Sequence, residues 1–271
     1  MQSEAIRLRS SGKLIALVPT SGALHDGHKS MVEQAREDAD VVVVSTLINK
    51  QEFGQNEDFK RYPRKPEQDA ELAEKWGVDL LFAPDPDLFY KPAHSVFVDE
   101  KIISPLMCGV SRPHYFQGVC TGHVKLFNLV RPDIVMLGQR DPQKYAVIKS
   151  LVEELHFPID VRLCKVVRAP DGLPYNARLD YLNDFQLKDA RRLHEGLKEG
   201  VKLVEGGIAN VDRVVAEVIH NISLVRRLRI IYVVAVDPET METRREIILG
   251  NTLIIASVWC DEVRLIDCVA L

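Results

Sequence analysis

"LVPTSGALHDGHKSM", residues 17–31, is the stretch on which the reading of the fold turns. It closes the apolar run "KLIALVP" (13–19), passes through a glycine-bearing turn and opens the amphipathic run "KSMVEQARED" (29–38). A strand end, a short turn and a helix start form the place where open α/β sheets bind ligands. Two histidines, His25 and His28, stand there with Gly27 between them.

On the C-terminal side, apolar runs alternate with amphipathic ones. "DVVVVSTLI" (40–48), "VDLLFAP" (78–84), "DIVMLG" (133–138) and "DVRLCKVVR" (160–168) read as strands. Helical patterns fall between them at "EQDAELAEKWG" (67–77), "GVCTGHVKLFNLV" (118–130) and "PQKYAVIKSLVEELH" (142–156). Consecutive Val, Leu and Ile suit strands buried on both faces, and the helices supply the crossovers of a parallel sheet. The pattern predicts a Rossmann-like, doubly wound α/β domain over residues 1–167.

Beyond the turn-rich "APDGLPYNARLDYL" (169–182), the character changes. Two helical stretches, 185–205 and 211–225, precede strand-like "LRIIYVVAV" (228–236), "TLIIASVW" (252–259) and "EVRLIDCV" (262–269). Helices followed by a short set of strands predict a smaller α+β domain over residues 168–271.

Composition narrows the class. In 271 residues, 46% hydrophobic, 35 basic and 39 acidic residues are interleaved to a net charge of −4, so no basic face marks a nucleic-acid or membrane partner. No basic-then-apolar leader is present, and no apolar run nears the ~20 residues of a membrane span. The sequence therefore reads as a soluble, cytoplasmic protein. Cys108, Cys120, Cys164, Cys260 and Cys268 are odd in number and scattered, which suits reduced packing residues better than disulfides or zinc sites.

Three roles are open to His25 and His28. At a helix N-terminus, unpaired backbone N–H groups and a partial positive charge suit phosphate, and imidazoles beside it stabilise charge that builds on phosphate oxygens. A metal site needs further ligands at a plausible spacing, and no obvious cluster supplies them. Two hydrogen-bonded structural histidines are the third reading.

The stretch resembles the "HIGH" signature of the nucleotidylyltransferase superfamily, and more closely the "PTMGALHEGH" form of the pantothenate synthetase family. The likeness continues through "NKQEFGQNEDFKRYPR" (49–64), "CGVSRPHYFQGV" (108–119), "KLFNLVRPDIVMLGQRD" (125–141), "RAPDGLPYNAR" (168–178) and "VRLID" (263–267). It implies a Rossmann-like adenylating domain, a C-terminal lid domain, a homodimer and two-step chemistry with ATP and Mg2+. A carboxylic acid is adenylated with loss of pyrophosphate, and an amine then displaces AMP to form an amide.

By this resemblance Pro19, Thr20, Gly22, Leu24, His25, Gly27 and His28 belong to the ATP-binding segment, joined by Gly138, Asp141, Asn176 and Arg178. His25, His28, Arg140 and Arg178 are the expected catalytic groups, acting on phosphate charge. Ser21, Asn49, Glu52, Tyr62, Arg112, Gly122, His123 and Lys144 fall at substrate positions. Each has an alternative structural role: Arg112 and Arg178 as ion-pair residues, Tyr62 as a core-edge ring, Asp141 as a helix N-cap. Metal ligands are not identified, although Asp69 is a candidate for the vicinity of Mg2+.

Several of these positions depart from the family pattern. Ser21 replaces a methionine, Glu52 and Lys144 replace two glutamines that hydrogen-bond pantoate, and Gly122 and His123 replace a pair of valines. Arg140 stands for the lysine of "GEKD", Asn176 and Ala177 for the serines of "SSR", and Tyr115 for the histidine of "RPGHF". Burying Glu52 or Lys144 alone would cost several kcal/mol, so both are exposed, paired with each other, or matched to a charged substrate. The sequence thus suggests an ATP-dependent, AMP-forming carboxylate:amine ligase whose acid pocket is more polar than pantoate requires. Its alternatives are a ligase of pantoate and β-alanine, a nucleotidylyltransferase that stops at the adenylate, and a nucleotide-binding protein without turnover.

Overall fold

In the computed structural model, which describes residues 1–54 and 57–271, the first apolar runs form parallel strands. These are β1 (Ile15–Thr20), β2 (Val41–Thr46), β3 (Leu80–Phe82), β4 (Ile134–Gly138) and β5 (Asp160–Cys164). Their order in the sheet is β3-β2-β1-β4-β5, with every pairing parallel. The chain therefore winds outward from β1 and then returns across it, which is the doubly wound arrangement expected from the sequence. Around the sheet run α1 (Gln2–Ser10), α2 (Asp26–Asp38), α3 (Pro66–Lys75), the single turns α4 (Pro86–Phe89) and α5 (Cys108–Ser111), α6 (Tyr115–Val130) and α7 (Pro142–Glu154).

Alternation along the strands explains their apolar composition. Ala16, Val18, Val42, Val44, Ile134 and Met136 form one core with Val32 and Ala35 of α2 and Ala73 of α3. The intervening Ile15, Leu17, Val43, Val135 and Leu137 are buried as well. With both faces covered, a strand has no reason to alternate with polar residues.

The sheet opens where its winding reverses. β1 stays paired to β2 as far as Thr20↔Thr46, but its pairing with β4 ends at Leu17↔Val135. Ile15 accepts from Asp133 N–H at 2.8 Å and Thr20 from Leu47 N–H at 3.0 Å, so alternate residues of β1 address β4 and β2. Pro19 falls on the β4 side and has no N–H to give, so the ladder cannot continue there. The loops after β1 and β4 are left to diverge at the switch point.

The chain divides into two compact units, 1–138 with 143–165, and 139–142 with 166–271. The second contains α8 (Asp184–Glu205), α9 (Val211–Ser223) and an antiparallel sheet of β6 (Leu228–Val236), β7 (Leu253–Cys260) and β8 (Val263–Ala270) in the order β6-β7-β8. Its core joins Leu193 and Leu197 to Val214, Val218, Ile222, Ile254 and Ala256. A capping box starts α8: Asn183 accepts from Gln186 N–H at 3.0 Å, and the Gln186 side chain accepts from Asn183 N–H at 2.9 Å. All five cysteines are buried thiols outside any disulfide. Among the described residues no helix is long and apolar enough to cross a membrane.

Several elements differ from the sequence reading. α2 begins at Asp26 and not near Lys29, so Gly27 and His28 lie in its first turn. β5 ends at Cys164, four residues earlier than expected, because Val167 accepts from Tyr175 N–H at 3.2 Å and Arg168 bridges Pro174. Those residues belong to a hairpin and not to the parallel sheet. α1, which periodicity left unread, buries only Ala5 and Leu8.

The turn between β1 and α2 is held from outside. Gly22 and Ala23 both have positive φ, 75° and 51°. For Ala23 that conformation costs about 1–3 kcal/mol. The carboxylate of Asp69, on α3, offsets it by accepting from Ala23 N–H at 2.9 Å and from Leu24 N–H at 2.7 Å. Asp69 is buried, 4% exposed. Both oxygens of this residue, which the sequence suggested for the vicinity of Mg2+, are engaged by the loop backbone. Asp69→Ala is expected to lower the free energy of unfolding in urea by about 3 kcal/mol, since two buried N–H groups lose their acceptors. A loss well under about 1 kcal/mol would show that the loop holds its shape without the carboxylate.

Candidate active site

The histidine stretch is assembled at the C-terminal edge of β1. Thr20 donates its hydroxyl to Ser45 O at 2.7 Å and accepts from Gly22 N–H at 3.1 Å, which turns the chain sharply after the strand. Ser21 is half-buried in that turn, and Leu24 is buried at its far end. His25 precedes α2, Gly27 and His28 lie in its first turn, and the two imidazoles stack at 3.9 Å with planes 17° apart. His28 Nδ1 accepts from His25 N–H at 3.3 Å. That bond assigns the proton of a neutral His28 ring to Nε2, which makes this nitrogen a donor beside the N–H groups of the helix terminus. The arrangement suits an anion. Gly138 ends β4, the strand beside β1, and a Cβ there would stand 3.2 Å from Met31 Cε.

A second group forms where α6 meets the turn after β2. Gly118 and Gly122, one helical turn apart, leave a flat strip on α6. A Cβ at position 118 would lie 2.4 Å from Gln51 O, and one at 122 would lie 2.6 Å from Asn49 Nδ2. Because neither carries one, the 3-10 turn Lys50–Glu52 lies directly on the helix. Asn49, 3% exposed, donates from Nδ2 to Gly118 O at 2.9 Å and to Glu52 Oε1 at 3.0 Å, and its Oδ1 accepts from Gln51 N–H at 3.1 Å. Lys144, on α7, donates to Glu52 Oε2 at 3.3 Å. Of the options left open by the sequence, the structure shows Glu52 and Lys144 paired.

The electrostatics follow from that pairing. Burial raises the Glu52 carboxyl, but Lys144, His123 and the Asn49 amide outweigh it and hold the group below the usual carboxylate range. Burial depresses His123, and the charge of Lys144 depresses it further, to about 4 against an ordinary 6.5. His123 Nδ1 lies 2.8 Å from Val119 O, so the neutral ring carries its proton there. Its Nε2 is buried without a hydrogen-bond partner among the described residues. The Tyr90 phenol, which a Cβ at 122 would approach to 3.2 Å, is pushed upward by burial and by Glu52. A negative Glu52, a positive Lys144 and a neutral His123 sum to no net charge.

Arg112 is attached to the same turn. It donates from Nη2 to Glu52 O at 2.7 Å, forms a two-point ion pair with Glu57 at 2.6 Å on each side, and stacks over the Tyr115 ring at 3.7 Å. Tyr115, the departure from "RPGHF", is therefore the platform for this guanidinium. Tyr62 is buried and packs edge-on to Phe53 at 5.6 Å, and Phe53 packs likewise on Phe59. Two partners were not anticipated: Glu57, in a polar loop without periodicity, and Tyr90, whose residue type gives no local signal of the site.

Arg140, Asp141, Asn176 and Arg178 belong to the second unit. Asp141 immediately precedes α7. Asn176 caps the 3-10 turn Ala177–Tyr181 by accepting from Arg178 N–H at 3.1 Å, so its carbonyl serves local structure. Arg140 and Arg178 are both half-buried. No group of three or more His, Cys, Asp or Glu among the described residues is placed to hold a metal ion.

The depressed His123 sets a pH signature. Between pH 6.5 and about 4 the unfolded chain binds the proton that the folded chain refuses, so stability falls as pH falls through this window. The contribution is up to about 3 kcal/mol, and His123→Val should flatten this part of the stability profile measured by urea unfolding. An unchanged slope in the variant would locate the acid sensitivity elsewhere.

Comparison with known proteins gives the same family along the whole chain. The family model described as pantoate-beta-alanine ligase matches residues 1–270. The pantothenate synthetase of Fervidobacterium nodosum is 40% identical over 267 residues, covering 98% of this chain and 94% of the relative. The crystal structure of pantothenate synthetase from Thermus thermophilus superposes with a TM-score of 0.93 at 34% identity, covering 98% and 96% of the two chains. That of the pantoate-beta-alanine ligase from Francisella tularensis, complexed with beta-gamma ATP and beta-alanine, gives a TM-score of 0.80 at 27% identity, covering 99% and 95%. The chain thus belongs to the pantoate-beta-alanine ligase family and is an ATP-dependent, amide-forming ligase.

Proposed function

We propose that the chain joins pantoate to β-alanine through a pantoyl adenylate. One observation carries the choice of acid: Glu52 and Lys144 are bonded to each other at 3.3 Å, beside a neutral His123. At the positions where the resemblance puts two neutral amides, this chain has a neutral pair with a donor end and an acceptor end. Such a pair addresses the hydroxyls of pantoate and leaves no net charge to select an amino or carboxyl substituent. The more polar pocket suggested by the sequence is, in this reading, polar without being charge-selective.

In the first step a pantoate carboxylate oxygen attacks the α-phosphorus of ATP, the bond to the bridging oxygen breaks, and pyrophosphate leaves. In the second the β-alanine nitrogen attacks the acyl carbon, the bond from that carbon to the adenylate oxygen breaks, and AMP departs with the electron pair while the amine loses a proton. The chain contributes position and charge. His28 through Nε2–H, His25, and the first N–H groups of α2 stabilise oxyanions on phosphate, while Arg140 and Arg178 are the cations that the resemblance assigns to phosphate. Mg2+ bound with ATP would supply further positive charge at the phosphates. Arg112, already bound to the 50–52 turn, and Tyr62 and Asn49 shape the substrate side.

The test is acid-dependent ATP–pyrophosphate exchange with the purified protein, followed by detection of the amide with β-alanine. Pantoate should exceed acids that carry an added amino or carboxyl group; faster exchange with a charged acid would overturn the choice of substrate. Formation of adenylate without amide across a panel of amines would reduce the activity to nucleotidyl transfer. Lys144→Gln leaves a half-buried carboxylate without its cation and should cost about a hundredfold in pantoate kcat/KM, whereas Glu52→Gln with Lys144→Gln should remain within about tenfold of the parent. His28→Ala should lower kcat by about 10²–10³ with smaller effect on the KM for pantoate.

A further inference from the structure

The second unit contains a charged cluster that the proposed chemistry does not use directly. Asp267, on β8, is fully buried, 0% exposed, and forms a two-point ion pair with Arg168: Nη1 to Oδ2 at 2.7 Å and Nη2 to Oδ1 at 2.8 Å. Cys268 N–H donates to the same Oδ1 at 2.8 Å, and His194 Nδ1 of α8 lies 3.4 Å from Oδ2. Arg168 also donates to Gly172 O at 3.1 Å and to Cys268 O at 3.2 Å. One carboxylate thus ties together β8, α8 and the segment that follows β5.

That segment is the hairpin that leads to Arg178. Arg168 bridges Pro174, Ala169 N–H donates to Leu173 O at 2.9 Å, and Tyr175 N–H donates to Val167 O at 3.2 Å. Asn176 then caps the turn in which Arg178 sits. The hairpin is thus fastened at its base by a planar fork and a buried carboxylate, a geometry with little rotational freedom. The next residue of β8 does the same for another loop, since the Cys268 thiol donates to Gln139 O at 3.1 Å, one residue before Arg140.

We propose that Asp267, with Arg168, is a positioning residue for ATP: it fixes the base of the 168–178 hairpin and so the place from which Arg178 meets the phosphates. Cys268 gives the Arg140 loop a second, weaker attachment to the same strand. This inference rests on the reading of Arg178 as a phosphate cation, but not on the identity of the acid.

The test uses the full chain and ATP itself. Arg168→Gln combined with Asp267→Asn keeps hydrogen-bonding partners and leaves no unpaired buried charge, so the fold is retained. By titration calorimetry this pair of changes should weaken ATP binding about tenfold, and in turnover the KM for ATP should rise while the KM values for acid and amine stay within about twofold. Arg168→Lys, which keeps the charge and loses the fork, should fall between parent and double variant. In an Arg178→Ala background the double change should add no further loss, because its effect passes through Arg178. Parental ATP affinity in the folded double variant, or full additivity with Arg178→Ala, would overturn the proposal. Absence of turnover with pantoate alongside parental ATP binding would count against the function proposed above and leave the calorimetric comparison decisive.

Discussion

The parting of β1 from β4 is the constraint on which the other features depend. A parallel sheet wound in both directions has one pair of neighbouring strands whose outgoing loops travel apart, and here Pro19 ends the hydrogen-bonded ladder early on that side. The strand ends therefore offer backbone groups that no neighbouring strand claims. The loop after β1 closes that opening with a sharp turn and directs the first turn of α2 toward it. A turn with two consecutive residues at positive φ does not hold itself, which is why a carboxylate from another helix is built into it. Sheet topology, turn and helix start are thus successive answers to one requirement: unpaired backbone must find a partner.

Much of this was legible in the sequence because it is local. Buried parallel strands announce themselves by composition, and the helices between them by amphipathic periodicity. The strand-turn-helix around His25 and His28 lies within fifteen consecutive residues. What was not legible depends on partners far along the chain. Asp69 reads from the sequence as a candidate for the vicinity of Mg2+, and nothing near it shows that it holds Ala23 and Leu24, 46 and 45 residues earlier. Glu52 and Lys144 are 92 residues apart, and no pattern within either segment distinguishes mutual pairing from substrate recognition. β5 looked longer than it is because Val166 to Arg168 continue its apolar and basic character, while the competing partners Pro174 and Tyr175 lie across a turn.

The two groups of the first unit solve opposite electrostatic problems. At the N-terminus of α2 the protein stacks two imidazoles beside the N–H groups of the first turn, an arrangement that suits an anion even with the exposed Asp26 in the same turn. Around Glu52 it brings opposite charges together and keeps a histidine neutral beside them, which leaves hydrogen-bonding capacity without net charge. Arg112 shows the same economy of charge: its guanidinium is balanced by Glu57 and stacked on Tyr115 while one edge holds the backbone of the turn. Polar composition and charge selectivity are therefore separate properties of this region.

The flat strip on α6 made by Gly118 and Gly122 has a consequence for how this chain tolerates change. Because the turn at 50–52 rests on the helix at backbone distance, positions 49, 52, 122, 123 and 144 share one volume and one charge balance. A branched side chain at 122 would displace the Asn49 amide, which in turn supports Glu52, whose charge is answered by Lys144. Substitutions in this neighbourhood are therefore mutually conditional. Exchanged one at a time for the residues of a relative, they pass through states with a displaced amide or a lone buried charge; exchanged together, they need not. Sequence distance from a relative at these positions measures the number of steps in one coordinated rearrangement, not the number of independent alterations to the site.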